Sequence, residues 1–185
     1  KVPVFALMGA KIIDIKTLSD GKHCRILAES EHKKVEAIAF GAGSLADEYC
    51  VGDIVDLAGE LNINLYNGQI RLQIILCGIR YSHKDIKDVF PDKQDFADIY
   101  RFLKASGNIS AEVSLLTKKL SDALKRRIMR DKLINVLRVF NDTKILVYHM
   151  IGDVVQIKLL ETEKGVKIAL DKSEEYKRIK EELGI

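Results

Sequence analysis

Gly52-Asp-Ile-Val-Asp-Leu-Ala-Gly-Glu-Leu-Asn-Ile-Asn-Leu-Tyr66, then Asn67-Gly68, then Gln69-Ile-Arg-Leu-Gln-Ile-Ile-Leu-Cys-Gly-Ile-Arg-Tyr81, reads as two alternating runs around a two-residue turn. Asn-Gly between such runs is a strong hairpin signal, because both turn residues take positive φ and these two tolerate it best. A two-residue loop fixes the register, so that Leu65 faces Ile70, Ile63 faces Leu72, Leu61 faces Ile74 and Gly59 faces Leu76. That face is aliphatic and is expected to be core. The opposite face pairs Tyr66 with Gln69, Asn64 with Arg71 and Asn62 with Gln73. Amides, one cation and a tip aromatic suit a binding surface, and equally an ordinary polar outer face.

Upstream, Val4 to Lys16 is a long strand-like run broken by Gly9, where a barrel strand would bend. Asp20-Gly21 makes a turn, and His23 to Glu29 alternates, with Cys24, Ile26 and Ala28 on one side and His23, Arg25 and Leu27 on the other. Lys33 to Phe40 forms a third strand, Gly41 to Cys50 a short helix, and the hairpin supplies strands four and five. Five strands with a helix between the third and fourth is the order of an OB-fold barrel, whose closure removes exposed edges. Such barrels commonly bind oligonucleotides on the face of strands two and three and on the loops joining strands one to two and four to five. On that geometry Tyr66 would stand where a base could stack, and His23, Arg25 and Arg71 could touch phosphate. With aromatics at 6% and no Trp, any stacking platform is small.

The period changes after residue 82. A mixed-charge linker (83–92) ends in Phe90-Pro91-Asp92, a helix start, and Phe96, Ile99, Tyr100 and Leu103 follow at helical spacing until Gly107-Asn108. Ser110 can cap a second helix carrying Val113, Leu116 and Leu120. A third helix is expected from about Leu124 to Phe140, with Ile128, Met129, Leu133, Val136, Leu137 and Phe140 inward. Lys144 to Tyr148, Asp153 to Leu160 and Val166 to Leu170 read as short strands turned at Gly152 and Gly165, and Ser173 to Leu183 as a last amphipathic helix. Three helices followed by a small hairpin is the winged-helix order. The fold class is therefore α+β in two domains: a five-stranded OB-fold β-barrel over 1–82, then a winged-helix-like α+β domain over 93–185.

Charge separates the halves more than the net of +3 does. Residues 1–82 hold nine Lys and Arg against ten Asp and Glu, and residues 83–185 hold 21 against 17. Lys118, Lys119, Lys125, Arg126, Arg127, Arg130, Lys132 and Arg138 face only Asp122 and Asp131 within one stretch. Of these, Lys118, Lys119, Lys125, Arg126, Arg127 and Arg130 make a secondary basic patch that could lie on nucleic-acid phosphates, or be a solvated face, or dock an acidic partner. No cluster of Asn, Gln and Arg suited to base reading accompanies it.

No run approaches a membrane-spanning length, and the N-terminus has neither the basic region nor the apolar core of a signal peptide. The odd and widely spaced Cys24, Cys50 and Cys77 read as reduced thiols of a cytoplasmic protein. Opening on Lys-Val-Pro suggests a piece of a longer protein. None of His23, His32, His83 and His149 sits in a metal-ligand motif, and phosphate loops and nucleophile elbows are absent from the sequence. Alone, the chain is expected to be no enzyme and to need no cofactor.

Val2-Pro-Val-Phe-Ala-Leu7, Glu36-Ala-Ile-Ala-Phe-Gly41, Gly52-Asp53 with Val55-Asp56, and Leu61-Asn-Ile-Asn-Leu-Tyr-Asn-Gly68 with Gln69 and Gln73 together resemble the OB-fold domain of RecJ. That family comprises bacterial exonucleases that digest single-stranded DNA from the 5′ end. Phe90-Pro-Asp-Lys-Gln-Asp-Phe-Ala-Asp-Ile-Tyr100, Val136-Leu-Arg-Val-Phe140 and Leu170-Asp-Lys-Ser-Glu-Glu-Tyr176 resemble the domain that follows it in Firmicutes-type members. The resemblance implies the non-catalytic C-terminal region of a larger enzyme of DNA repair and recombination. A DHH domain would hold two Mn²⁺ or Mg²⁺ ions outside this chain and activate water there. The barrel would guide single-stranded DNA through His23, Arg25, Asn62, Asn64, Tyr66, Gln69, Arg71 and Gln73. The second domain would contact partners such as single-strand-binding protein, whose acidic tail suits the basic patch. Alternatives are a protein-interaction module docking an acidic partner, an RNA-binding protein of the same two folds, and a DHH-family nucleotide phosphodiesterase as parent.

Overall fold

The computed structural model describes residues 2–66, 68–161 and 169–185, with Tyr66 and Gln69 described in their backbone alone. The chain divides into two compact units, Lys1–Lys84 and Asp85–Ile185.

The first unit is a closed five-stranded OB-type barrel, with strand order β1-β2-β3-β5-β4. Its strands are β1 (Val4–Leu18), β2 (His23–Ser30), β3 (Lys33–Ala39), β4 (Ile54–Tyr66) and β5 (Gln69–Tyr81), and a single helical turn, α1 (Leu45–Glu48), lies between β3 and β4. Alternation places Ala10, Ile12, Cys24, Ile26, Ala28, Ala37, Ala39, Val55, Leu57 and Ile74 in the interior. Small alanines inside let a narrow barrel close without voids. β1 spans two walls by bending at Gly9 (φ 64°), where its register with β4 shifts. Asp56 fixes that bend: its carboxylate accepts from the Gly9 N–H (3.0 Å), from Arg80 Nε (2.9 Å) and from the Ser82 hydroxyl. Chiefly through the Ser82 hydroxyl and the Gly9 amide, its carboxyl is held below the usual range. Behind α1, Tyr49 stacks on Tyr81 at 4.6 Å, and the Tyr81 hydroxyl donates to the Glu48 carbonyl.

The hairpin register agrees with the sequence reading rung by rung, from Tyr66 opposite Gln69 to Gly59 opposite Leu76. Beyond it, Ala58 faces Gly78, so Cys77 is the extra residue of a bulge. The expectation that the whole aliphatic face is core fails. Ile74 is buried, but Ile63, Leu65 and Ile70 are 69%, 70% and 74% exposed, and Leu61 and Leu72 are exposed as well. β1 pairs with β4 only as far as Glu60, and β3 pairs with β5 only from Gln73 onward. The two-stranded ribbon therefore runs past the barrel wall, and among the described residues its inner face has no opposite wall to pack on.

The second unit contains α2 (Ile86–Val89), α3 (Lys93–Ser106), β6 (Ile109–Glu112), α4 (Val113–Leu124), α5 (Arg130–Asp142), β7 (Leu146–Ile151), β8 (Val154–Leu159), a 3-10 turn (Leu170–Lys172) and α6 (Glu174–Leu183). The three-stranded sheet has the order β6-β8-β7. Phe96, Ile99, Leu103, Val113, Leu116, Leu120, Leu133, Val136, Leu137 and Phe140 form its core with Val155, Ile157 and Ile179. Asp92 caps α3 in a reciprocal box with Asp95, and Ser173 caps α6.

Three expectations are corrected here. The stretch read as a linker carries α2, with Val89 buried and its carbonyl accepting from Asn135 Nδ2 at 3.0 Å. Ser110 caps no helix, because Ile109–Glu112 pairs with β8 and α4 starts at Val113. The third helix starts at Arg130 rather than Leu124, since Lys125 turns left-handed (φ 53°) and ends α4. Of the strand read at Val166–Leu170, residues 166–168 lie outside the described residues, and Leu170 opens the 3-10 turn. Among the described residues no helix is long and apolar enough to cross a membrane.

Candidate nucleic-acid interface

Because Cys24, Ile26 and Ala28 point inward, His23, Arg25 and Leu27 stand on the outer face of β2, and the registers carry that face across the sheet. One row runs Asp14, Leu27, Glu36, Gln73 and Asn62; the next runs Lys16, Arg25, Ile38, Ile75 and Glu60. Asn64 and Arg71 continue it on the ribbon. The structure thus brings His23, Arg25, Asn62, Asn64, Arg71 and Gln73 onto one continuous outer surface. Tyr66 and Gln69 sit opposite each other at the ribbon end, but their side chains lie outside the described residues.

The chemistry of several of these groups differs from the sequence expectation. Arg25 is half-buried between two carboxylates, with Nε 2.8 Å from Glu36 and Nη1 2.9 Å from Asp14. The guanidinium thereby ties β1, β2 and β3 together across the sheet. His23 Nδ1 accepts from the Gly41 N–H at 2.9 Å, leaving Nε2 as the ring's donor. Gln73 donates to Asn62 at 3.4 Å, which orients both amides across β4 and β5.

One residue absent from the sequence reading completes the site. Phe40 is 61% exposed at the end of β3 and meets the His23 ring edge-on, with centroids 5.2 Å apart. It lies about 13 Å along β3 from the Glu36 row, four residues at strand rise. Inward Ala37 and Ala39 already imply that Phe40 points out. An exposed aromatic beside an imidazole, on a surface of amides and internally paired charges, offers bases a stacking platform and polar edges; it is not a strongly electropositive groove.

Two cations of the secondary basic patch, Arg126 and Arg130, are held in ion pairs. Arg126 and Lys132 turn inward onto Asp95, which is 1% exposed, with Lys132 Nζ at 2.8 Å; Arg126 also reaches Asp98 at 3.1 Å. Burial pushes the Asp95 carboxyl up, but the Lys132 ammonium, the Asp92 amide and the Arg126 guanidinium outweigh it and hold it below the usual range. Arg130 pairs with Asp153, and Arg138 with Glu175 and Glu182. Lys118, Lys119, Lys125 and Arg127 are exposed on α4 and the turn after it. The acids that pair with Arg126, Arg130, Lys132 and Arg138 are distant from them in sequence. Among the described residues no group of three His, Cys, Asp or Glu side chains could hold a metal ion.

The sequence model of the RecJ OB domain matches residues 1–78, and this region is an OB-fold related to that domain. No curated protein matches the chain. Among solved structures, the single-stranded-DNA-binding domain of a Synechococcus protein is 14% identical, covering 44% of this chain and 97% of its own, with a TM-score of 0.36. The second single-stranded-DNA-binding protein of Mycobacterium smegmatis is 18% identical, covering 48% and 98%, with a TM-score of 0.39. Asparaginyl-tRNA synthetase of Pyrococcus horikoshii is 11% identical over 87% of this chain and 39% of its own, with a TM-score of 0.37.

Proposed function

We propose that this chain is the non-catalytic C-terminal region of a RecJ-like 5′-3′ exonuclease specific for single-stranded DNA, of the Firmicutes type. Its barrel guides the strand toward a metal-dependent active site on another part of the enzyme. The observation that carries the reading is the match to the RecJ OB domain over residues 1–78, nearly the whole first unit. The outer face supports it: Phe40 and His23 would stack on or edge a base, while Asn62, Asn64 and Gln73 would hydrogen-bond base edges or backbone oxygens. Arg71 would contact phosphate and Arg25 would act by holding β1, β2 and β3 in register. Tyr66 and Gln69 belong to the same proposed surface at the ribbon end.

The second unit is proposed as a winged-helix-like domain. Its order of helix, strand, two helices and hairpin, with β6 pairing to β8, supports this. Its role is docking, with the exposed Lys119 and Lys125 beside α4 as contacts for a partner such as the acidic tail of single-strand-binding protein. The inward pairing of Arg126, Lys132 and Arg138 weighs against a broad DNA-binding surface there.

The test is fluorescence anisotropy of a labelled single-stranded 20-mer, at two salt concentrations, with duplex and RNA competitors. Saturable binding that weakens with salt and falls about 5- to 150-fold in Phe40→Ala is expected, since one base–aromatic stack contributes about 1–3 kcal/mol. Absence of binding, or preference for RNA, overturns the reading.

A further inference from the structure

We infer that the apolar inner face of the projecting β4–β5 ribbon is a self-association surface, occupied by the same face of a second copy of this chain. Leu61, Ile63, Leu65, Ile70 and Leu72 are 41 to 74% exposed, and the half-exposed Phe5 extends the patch across from Gly59. Together they present about 600 Å² of contiguous apolar surface, the upper end of what a lone soluble domain shows. Two copies would bury about 1,200 Å², the size at which specific interfaces begin.

Three features select a copy of the chain over other occupants. From Leu61 to Leu72 the sequence holds a single charge, Arg71, and it belongs to the opposite face. Phosphates and acidic peptides therefore find no counter-charge on this surface, whereas interface cores are depleted of charge in the same way. A two-fold contact sets each residue near its own equivalent, which penalises any charged face but not an aliphatic one. Here the Ile63–Leu72 rung lies midway between the Leu61–Ile74 and Leu65–Ile70 rungs, so an axis through it superposes aliphatic on aliphatic throughout. Finally, the ribbon lacks the inward Lys, Pro or short edge by which projecting strands are normally kept from pairing, although among the described residues β4 beyond Glu60 and β5 before Gln73 have no neighbour on their outer edges. The outer face with Asn62, Asn64 and Gln73 stays open in such a dimer.

Sedimentation equilibrium of the whole chain from low to high micromolar concentration tests this. The expected mass rises to twice the 20.8 kDa of the chain in the wild type. It stays at the single-chain value in Ile63→Lys and in Leu72→Lys, with circular dichroism unchanged because both positions are exposed in the lone chain. Val51→Lys, equally exposed but on the turn before β4, should dimerise like the wild type. A wild type that is monomeric throughout overturns the inference and assigns the face to a different partner. Dimers that persist in both ribbon variants overturn it by placing the contact elsewhere.

Discussion

Replacing Asp95 by Asn should unsettle the second unit far more than removing any surface cation. Asp95 is almost wholly buried, caps α3 through the Asp92 box, and neutralises Lys132, itself only 8% exposed, as well as Arg126. The amide keeps the volume and one acceptor but leaves the Lys132 ammonium buried without a counter-charge. Breaking one side of a buried pair costs about 3–5 kcal/mol. The lower end applies here, because Arg126 keeps Asp98 and is partly solvated. At about 4–8 °C per kcal/mol for a unit of about 100 residues, the melting temperature should fall by about 12–24 °C. The helical circular-dichroism signal reports this unit, since α3 to α6 lie in it, and urea unfolding followed by that signal supplies the free energy. Replacing both partners, Asp95→Asn with Lys132→Met, removes the stranded charge and should return most of the loss. A single-variant cost below about 1 kcal/mol, or a double variant no better than Asp95→Asn, would show that the cluster is solvated and the reasoning wrong.

Because the folded Asp95 carboxyl titrates below its unfolded value of about 3.9, its contribution is present above that pH and lost as pH falls through the folded value. Urea midpoints of the wild type should therefore drop below about pH 4, and those of Asp95→Asn should drop less. In the barrel, Gly43→Ala would drive a methyl into the Gly21 carbonyl, backbone against backbone, so a loss of at least about 2 kcal/mol in thermal unfolding is expected. Burial pushes the Cys24 thiol up to about 11 while Cys50 and Cys77 are exposed, so a thiol reagent at pH 8 should label two cysteines in the native chain and three after denaturation.

Local geometry was legible in the order of the residues. Asn67-Gly68 and strict alternation set the β4–β5 register, Gly9 marked the bend of β1, and Asp92 and Ser173 marked helix starts, because turns, caps and strand faces depend on residues close in the chain. Phe40 was also within reach of that logic, being outward by the same alternation that put Ala37 and Ala39 inside. Which part of the aliphatic face finds a wall depends on how the strands assemble. Alternation gives Ile63 and Ile74 the same side, but burial requires an opposing strand, and β1 and β3 stop short of the ribbon's outer part. Tertiary assembly also decides which charges pair. Arg25 meets Asp14 and Glu36 across strands, and Lys132 meets Asp95 across helices 37 residues apart, pairings that no local pattern encodes because electrostatic attraction acts through space rather than along the chain.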